Sequence, residues 1–252
     1  MKRLALAVLF LAACGTTSSA GASSPTALSG TVDVFAAASL TDSFKALGAA
    51  FQRQHAGVAV QFNFAGTPTL VTQIEQGAKA DVFASADMTN MEKLKGEGFT
   101  SGSPQVFAHN ALEIVVAPGN PKGITSLADL AKPGVIYISE APTVPAGKYS
   151  LQALAKAGVQ VTPRSLETDV KSVISKIELG EADAGIVYAT DVKAAGSKVQ
   201  GVPIPDRYNV VATYPLVEVR GAANPNAAMA FIAYALSPAG QSTLASFGFQ
   251  GA

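Results

Sequence analysis

Tryptophan is absent from the 252 residues, cysteine occurs once, at Cys14, and histidine twice, at His55 and His109. A single cysteine excludes an intramolecular disulfide, and two isolated histidines supply no metal-ligand spacing, so both are read as surface or capping residues. Charge is also scarce. Charged residues make up 14% of the chain, and 18 basic side chains balance 18 acidic ones. No global field draws in nucleic acid or an anionic membrane, so an anion that binds must be held by a local site. The sequence has no GxSxG elbow, no Walker A motif, no GxGxxG and no CxxC, and no spacing singles out a pair among its acids. An enzyme reading has no positive signal, and the chain is read as a non-enzyme without a cofactor.

What is present begins with 48% hydrophobic residues, enough to bury a large core. Lys2 and Arg3 precede an apolar run from Leu4 to Ala13, too short to span a bilayer but sufficient for a secretory signal. The run ends in Leu11-Ala12-Ala13-Cys14, which looks like a bacterial lipobox. Residues 1–13 are therefore expected to be a signal peptide and Cys14 the lipidated first residue. Residues 14–29 are small and polar, as befits a flexible tether.

The remainder alternates strands and helices. Val32, Val34 and Phe35 read as a buried strand, which passes through small alanines to Ser39. Leu40, Phe44, Leu47 and Phe51 then fall on one helical face, with Ser39 expected as N-cap and Asp42 as its capping-box partner. The plan recurs. The strand Val58–Phe64 leads to a helix with Thr67 as the expected N-cap, Pro68 at N1 and Gly77 closing it. A later strand, Val135–Ile138, leads through Val144-Pro145-Ala146-Gly147 into a third helix. Asp169-Val170 opens a fourth, with Val170, Val173, Ile174 and Ile177 on one face. A glycine, Ala-Asp, a strand and a capping aspartate recur around Asp81–Asp87 and Asp183–Asp191, which fits two α/β units of similar plan. Such alternation predicts mostly parallel sheets.

Four loop-to-helix starts, at Ser39, Thr67, Ala146 and Val170, thus share small, uncharged flanks. Helix starts bind anions through free backbone N–H groups and the helix dipole, without lysine or arginine. Tyr188, at the end of the strand Ala184–Tyr188, adds one more hydroxyl.

At these residues the chain resembles the periplasmic molybdate-binding proteins of ABC transporters, over residues 31–250. The resemblance is carried by Val34-Phe-Ala-Ala-Ala-Ser39, Thr69–Asp87, Val144-Pro-Ala-Gly147, Asp169-Val170 and Gly185-Ile-Val-Tyr188. It implies an α/β, two-lobed type II periplasmic binding-protein fold, each lobe a mostly parallel sheet flanked by helices, with the ligand cleft between them. Lobe 1 is expected over 30–109 plus 216–252 and lobe 2 over 110–215. It implies a tetrahedral molybdate or tungstate dianion held by Ser39, Thr67, Ala146, Val170 and Tyr188, with molybdenum present only inside the oxyanion. Thr67 and Pro68 stand where serines are common in the family, and proline has no N–H to give. The expected role is an exported, lipid-anchored, monomeric solute-binding lipoprotein that delivers its anion to a membrane permease. The nearest alternative is another small oxyanion, sulfate or phosphate; a secreted enzyme and an adhesion lipoprotein are more distant rivals.

Overall fold

The structure, a computed structural model, describes residues 28–252. The expected signal segment, Cys14 and most of the tether lie outside the described residues. The chain opens with β1 (Gly30–Ala37), a three-residue 3-10 turn at Ala38–Leu40 and α1 (Thr41–Gln54). β2 (Val58–Ala65), α2 (Thr67–Glu75), β3 (Val82–Ala84), α3 (Met88–Gly96) and β4 (Thr100–Asn110) follow. Past Ala111 come β5 (Leu112–Val116), β6 (Ser139–Glu140), α4 (Pro145–Lys156), β7 (Leu166–Glu167) and α5 (Val170–Glu178). β8 (Ala184–Tyr188), α6 (Ala189–Ala195) and β9 (Gln200–Pro203) complete this part. β10 (Ala212–Val219), α7 (Pro225–Leu236) and α8 (Pro238–Ser246) end the chain.

The strands form a five-stranded sheet, β2-β1-β3-β10-β4, a three-stranded sheet, β8-β5-β9, and the pair β6-β7. β1 runs parallel to β2 and β3, and β6 parallel to β7. β10 is antiparallel to β3 and β4, and β5 is antiparallel to β8 and β9. The sheets are mixed rather than mostly parallel, and connectivity explains it. β4 carries the chain out of the first sheet and β10 carries it back, so the two meet in opposite directions. Ala212–Pro215, which the sequence places before the return to the first unit, already pair with Val106–Asn110 of β4. Val135–Ile138 is reduced to an isolated parallel bridge from Tyr137 to Ala184.

Asn209 ties the two crossings together. Its Oδ1 accepts from the Leu112 N–H at 2.9 Å, and its Nδ2 donates to the Leu112 carbonyl at 2.9 Å. The helical faces read from the sequence are buried: Leu40, Phe44, Leu47 and Phe51 are all 0% exposed. Full burial of such side chains contributes about 1.5–3 kcal/mol each. Gly77 and Gly180 sit just past α2 and α5 with φ of 89° and 71°, the left-handed C-terminal position that glycine adopts without a Cβ clash. In α7 the buried face is Ala227, Ala228, Phe231, Ile232 and Ala235, while Met229 is exposed. Among the described residues no helix is long and apolar enough to cross a membrane.

Candidate functional site

The four helix starts and the tyrosine converge. Ser39, Thr67, Ala146, Val170 and Tyr188 all line one small cavity, together with Ala37, Gly66, Ala86, Glu140, Pro145 and Asp169. Its volume is about 10 Å³, measured as the space open to the centre of a water-sized sphere. That is on the order of the space one water needs, whereas sites for organic ligands run to roughly 300–1,000 Å³, so the cavity excludes a large organic substrate.

Each wall follows from its local sequence. Ser39 lies inside the 3-10 turn, and the N-cap of α1 is Leu40, whose side chain caps nothing. This corrects the capping expectation. The Ser39 hydroxyl instead meets the Tyr214 hydroxyl of β10 at 3.0 Å, and Asp42 pairs with Lys171 at 2.8 Å. Thr67 is likewise not the cap. Gly66 caps α2, Thr67 occupies its first turn, and Pro68 follows at N2. The Thr67 oxygen accepts from the Ala86 N–H at 3.3 Å, which leaves its own hydrogen to donate. Pro68 sacrifices no helix bond there, because first-turn N–H groups have no intrahelical acceptor.

From the other side, Val144 precedes α4, so Pro145 is N1 and Ala146 N2. Asp169 caps α5 by accepting from the Ser172 N–H at 2.9 Å, which leaves the Val170 amide at N1 outside the helical ladder. Gly66 approaches the second half of the chain so closely that a Cβ there would fall inside the 3.0 Å that real Cβ contacts keep from the carbonyl oxygen of Thr168. The two helix-start loops are pressed together beside the cavity.

Tyr188 is 1% exposed, and its ring meets that of Tyr214 edge-on at 5.7 Å. Its hydroxyl has no hydrogen-bond partner among the described residues. A buried hydroxyl without a partner is costly and native structures rarely keep one empty. Burial first, then the neighbouring Tyr214, Glu140, Tyr149 and Asp191, pushes its pKa well above the usual tyrosine range, so the group is a donor and never a charge. With Ser39, Thr67 and the α4 and α5 amides it makes a cavity of neutral donors. Donors of this kind satisfy and desolvate a small anion.

Sequence reasoning missed three residues. Tyr214 offers no local signal, since its partner Ser39 lies 175 positions away. Glu140, buried in the cavity wall, carries a carboxyl whose Oε2 accepts from the Gly147 N–H at 3.0 Å. Asp191 is not the cap that the repeat suggested. It sits in the first turn of α6, where its Oδ2 accepts from the Tyr188 N–H at 3.3 Å. Its Oδ1 lies 3.8 Å from Lys171 Nζ, near enough for attraction and too far for a hydrogen bond. Burial raises its pKa to about 7, against the pull of Lys171. Among the described residues no group of three or more histidines, cysteines, aspartates and glutamates is placed to hold a metal.

Comparison with known proteins gives this geometry its family. The profile of bacterial extracellular solute-binding proteins matches residues 32–250. This chain belongs to that family. The molybdate-binding protein ModA of Mycobacterium tuberculosis is 39% identical over 246 residues, 97% of this chain and 94% of the relative. The Haemophilus influenzae ModA is 32% identical, over 88% of this chain and 91% of its own. Among solved structures, the periplasmic molybdate-binding protein of Azotobacter vinelandii superposes with a TM-score of 0.75 at 24% identity, covering 86% of this chain and 98% of that one. The sulfate-binding protein SubI of M. tuberculosis reaches 0.80 at 21% identity, covering 88% and 86%. At those identities the two structures establish the fold, which is the two-lobed type II periplasmic binding-protein architecture expected from the sequence. All four are binding proteins for a small oxyanion, molybdate in three of them and sulfate in SubI.

Proposed function

We propose that the chain captures molybdate, and tungstate with it, and delivers it to the permease of an ABC transporter. The observation that carries this is the partnerless Tyr188 hydroxyl in a small cavity of neutral donors. A tetrahedral oxyanion is what Ser39, Thr67, Tyr188 and the amides of Ala146 and Val170 would satisfy together. Lobe 1 is assigned to 30–109 plus the return from Ala212 onward, where β10 rejoins β4, and lobe 2 to the stretch between, with the cavity at their junction. The lobes close around the anion and the permease recognises the closed form. Export by residues 1–13, lipid attachment at Cys14 and a tether over 14–29 place a monomeric binding protein at the outer face of the cytoplasmic membrane. Sulfate and phosphate match molybdate in shape but not in size, so cavity size decides among them.

Thermal unfolding of the purified protein, alone and with excess molybdate, tungstate, sulfate or phosphate, tests this. A ligand at about 1,000 times its Kd adds about 4 kcal/mol, an upward shift of several degrees. A shift with molybdate and tungstate alone supports the reading. A shift with sulfate or phosphate alone changes the cargo, and no shift with any oxyanion removes the assignment.

A further inference from the structure

One group in the cavity wall runs against an anion site, and this inference rests on the oxyanion reading above. Glu140 is 3% exposed and stands in the same wall as Ala146, Val170 and Tyr188. Its carboxyl draws on the first turn of α4 through Gly147, the same positive helix end that a bound anion would use. Gly147 is held against it, since any Cβ at that position would collide with the carbonyls of Glu140 and Ala141. An ionised Glu140 and a dianion would thus compete for the same helix start within one small cavity.

The surroundings of this carboxyl are acidic on several elements. Asp169, at the start of α5, and Asp191, on α6, both bear on it, and Tyr188 faces it from β8. Glu167, its register partner on β7, is taken up by Lys176 at 2.6 Å. The nearby lysines are engaged elsewhere. Lys148 of α4 donates to Thr89 at 2.6 Å and lies 3.9 Å from Asp87, while Lys171 of α5 lies 2.8 Å from Asp42. Among the described residues no cation is paired with Glu140. Burial and then Asp191 hold its pKa well above the ordinary carboxyl range, although the Gly147 and Ala146 amides pull the other way.

We propose that Glu140 couples anion capture to its own protonation, a carboxyl in the cavity wall that must carry its proton while a dianion is bound, so that capture takes up a proton wherever the empty site holds Glu140 ionised. The neutral acid keeps its acceptor on Gly147 and turns its O–H towards the ion as a further donor. Ionised, it expels the ion, and the site releases its cargo more readily as pH rises.

The test is calorimetric titration of the purified protein with sodium molybdate from pH 6 to 9.5, in buffers of different ionisation heat so that proton uptake is counted. The wild type is expected to bind with constant Kd at the acidic end. Towards the alkaline end Kd should rise by up to tenfold per pH unit, with proton uptake growing towards one. Glu140→Gln, which preserves the acceptor for Gly147, is expected to lose the slope and to bind more tightly than wild type at the alkaline end. Asp191→Asn should keep a slope at the alkaline end. Parallel profiles for wild type and Glu140→Gln, at any offset, would overturn the proposal. So would a wild type that takes up no proton at any pH, a readout that does not depend on the variant folding. A slope abolished by Asp191→Asn alone would move the role to that residue. Absence of molybdate binding at every pH would remove the oxyanion reading and this proposal with it.

Discussion

Gly66→Ala tests the close approach of the start of α2 to the loop that precedes α5. Gly66 has φ −57° and ψ 138°, a conformation open to any residue, so alanine brings no backbone strain and restricts the unfolded chain. Any stability cost to the empty protein therefore comes from the contact with Thr168 and the lost glycine cap, and not from the backbone angles of Gly66. Ligand binding should suffer, because the new methyl group would sit within 3.0 Å of the Thr168 carbonyl oxygen. That carbonyl is backbone and immediately precedes Asp169 and Val170, so relief requires the two loops to part by roughly 1 Å, beyond what packed contacts absorb. A hydrogen bond stretched by that much is lost. Losing two or three bonds to the anion, at about 1 kcal/mol or a little more each, weakens binding by about 2–4 kcal/mol, or roughly 30- to 1,000-fold in Kd. Calorimetric titration with molybdate and a melting curve of the empty protein give both quantities from one preparation. Affinity within threefold of wild type would refute the claim that Gly66 and Thr168 set the approach of the two halves.

Three further substitutions probe the cavity and its surroundings. Tyr188→Phe removes a buried hydroxyl that lacks a partner in the empty site, so the empty protein should gain stability while molybdate affinity falls by about 1–3 kcal/mol; matched melting and titration data check the opposite signs. Ser39→Ala should also cost about 1–3 kcal/mol of binding, but without a stability gain, because it leaves the Tyr214 hydroxyl short of a partner. Asp191 has its pKa raised from 3.8 to about 7, so the folded state holds that proton longer than the unfolded chain does. Its contribution is least unfavourable at acidic pH and worsens as pH rises from about 4 through 7. Asp191→Asn should therefore stabilise the empty protein at pH 8, by up to about 4 kcal/mol, and far less at pH 4, as compared by denaturant melts at the two pH values.

The parts of the fold legible in the sequence were those written in local periodicity. The spacing of Leu40, Phe44, Leu47 and Phe51, and of Val170, Val173, Ile174 and Ile177, marked faces that are buried. Gly77 and Gly180 marked helix ends because only the left-handed position requires them. Ser39, Thr67, Ala146, Val170 and Tyr188 were each found from a strand-to-helix junction, and the structure gathers them around one cavity. What those residues do within a turn was less legible. Ser39 and Thr67 look like caps because hydroxyls usually are, yet a 3-10 turn and Gly66 shift each by one position and free the hydroxyl for Tyr214 or Ala86. The antiparallel strands were hidden because the sense of β10 depends on a crossing about 100 residues long, which no local pattern encodes. Glu140 was hidden for a related reason. Nothing in its local sequence marks this acid, and only the packing of α4, α5 and the end of β8 around it makes it part of the cavity.

The central claim is that a dianion sits among neutral donors from both halves of the chain. Crystals grown with tungstate, with diffraction recorded at a tungsten absorption edge, test it most directly. The account predicts one strong anomalous peak between the two helix-start pairs, its oxygens within hydrogen-bond distance of the Ser39, Thr67 and Tyr188 hydroxyls and the amides of Ala146 and Val170. A peak elsewhere, or an ion paired with a lysine or arginine in place of these donors, would contradict it.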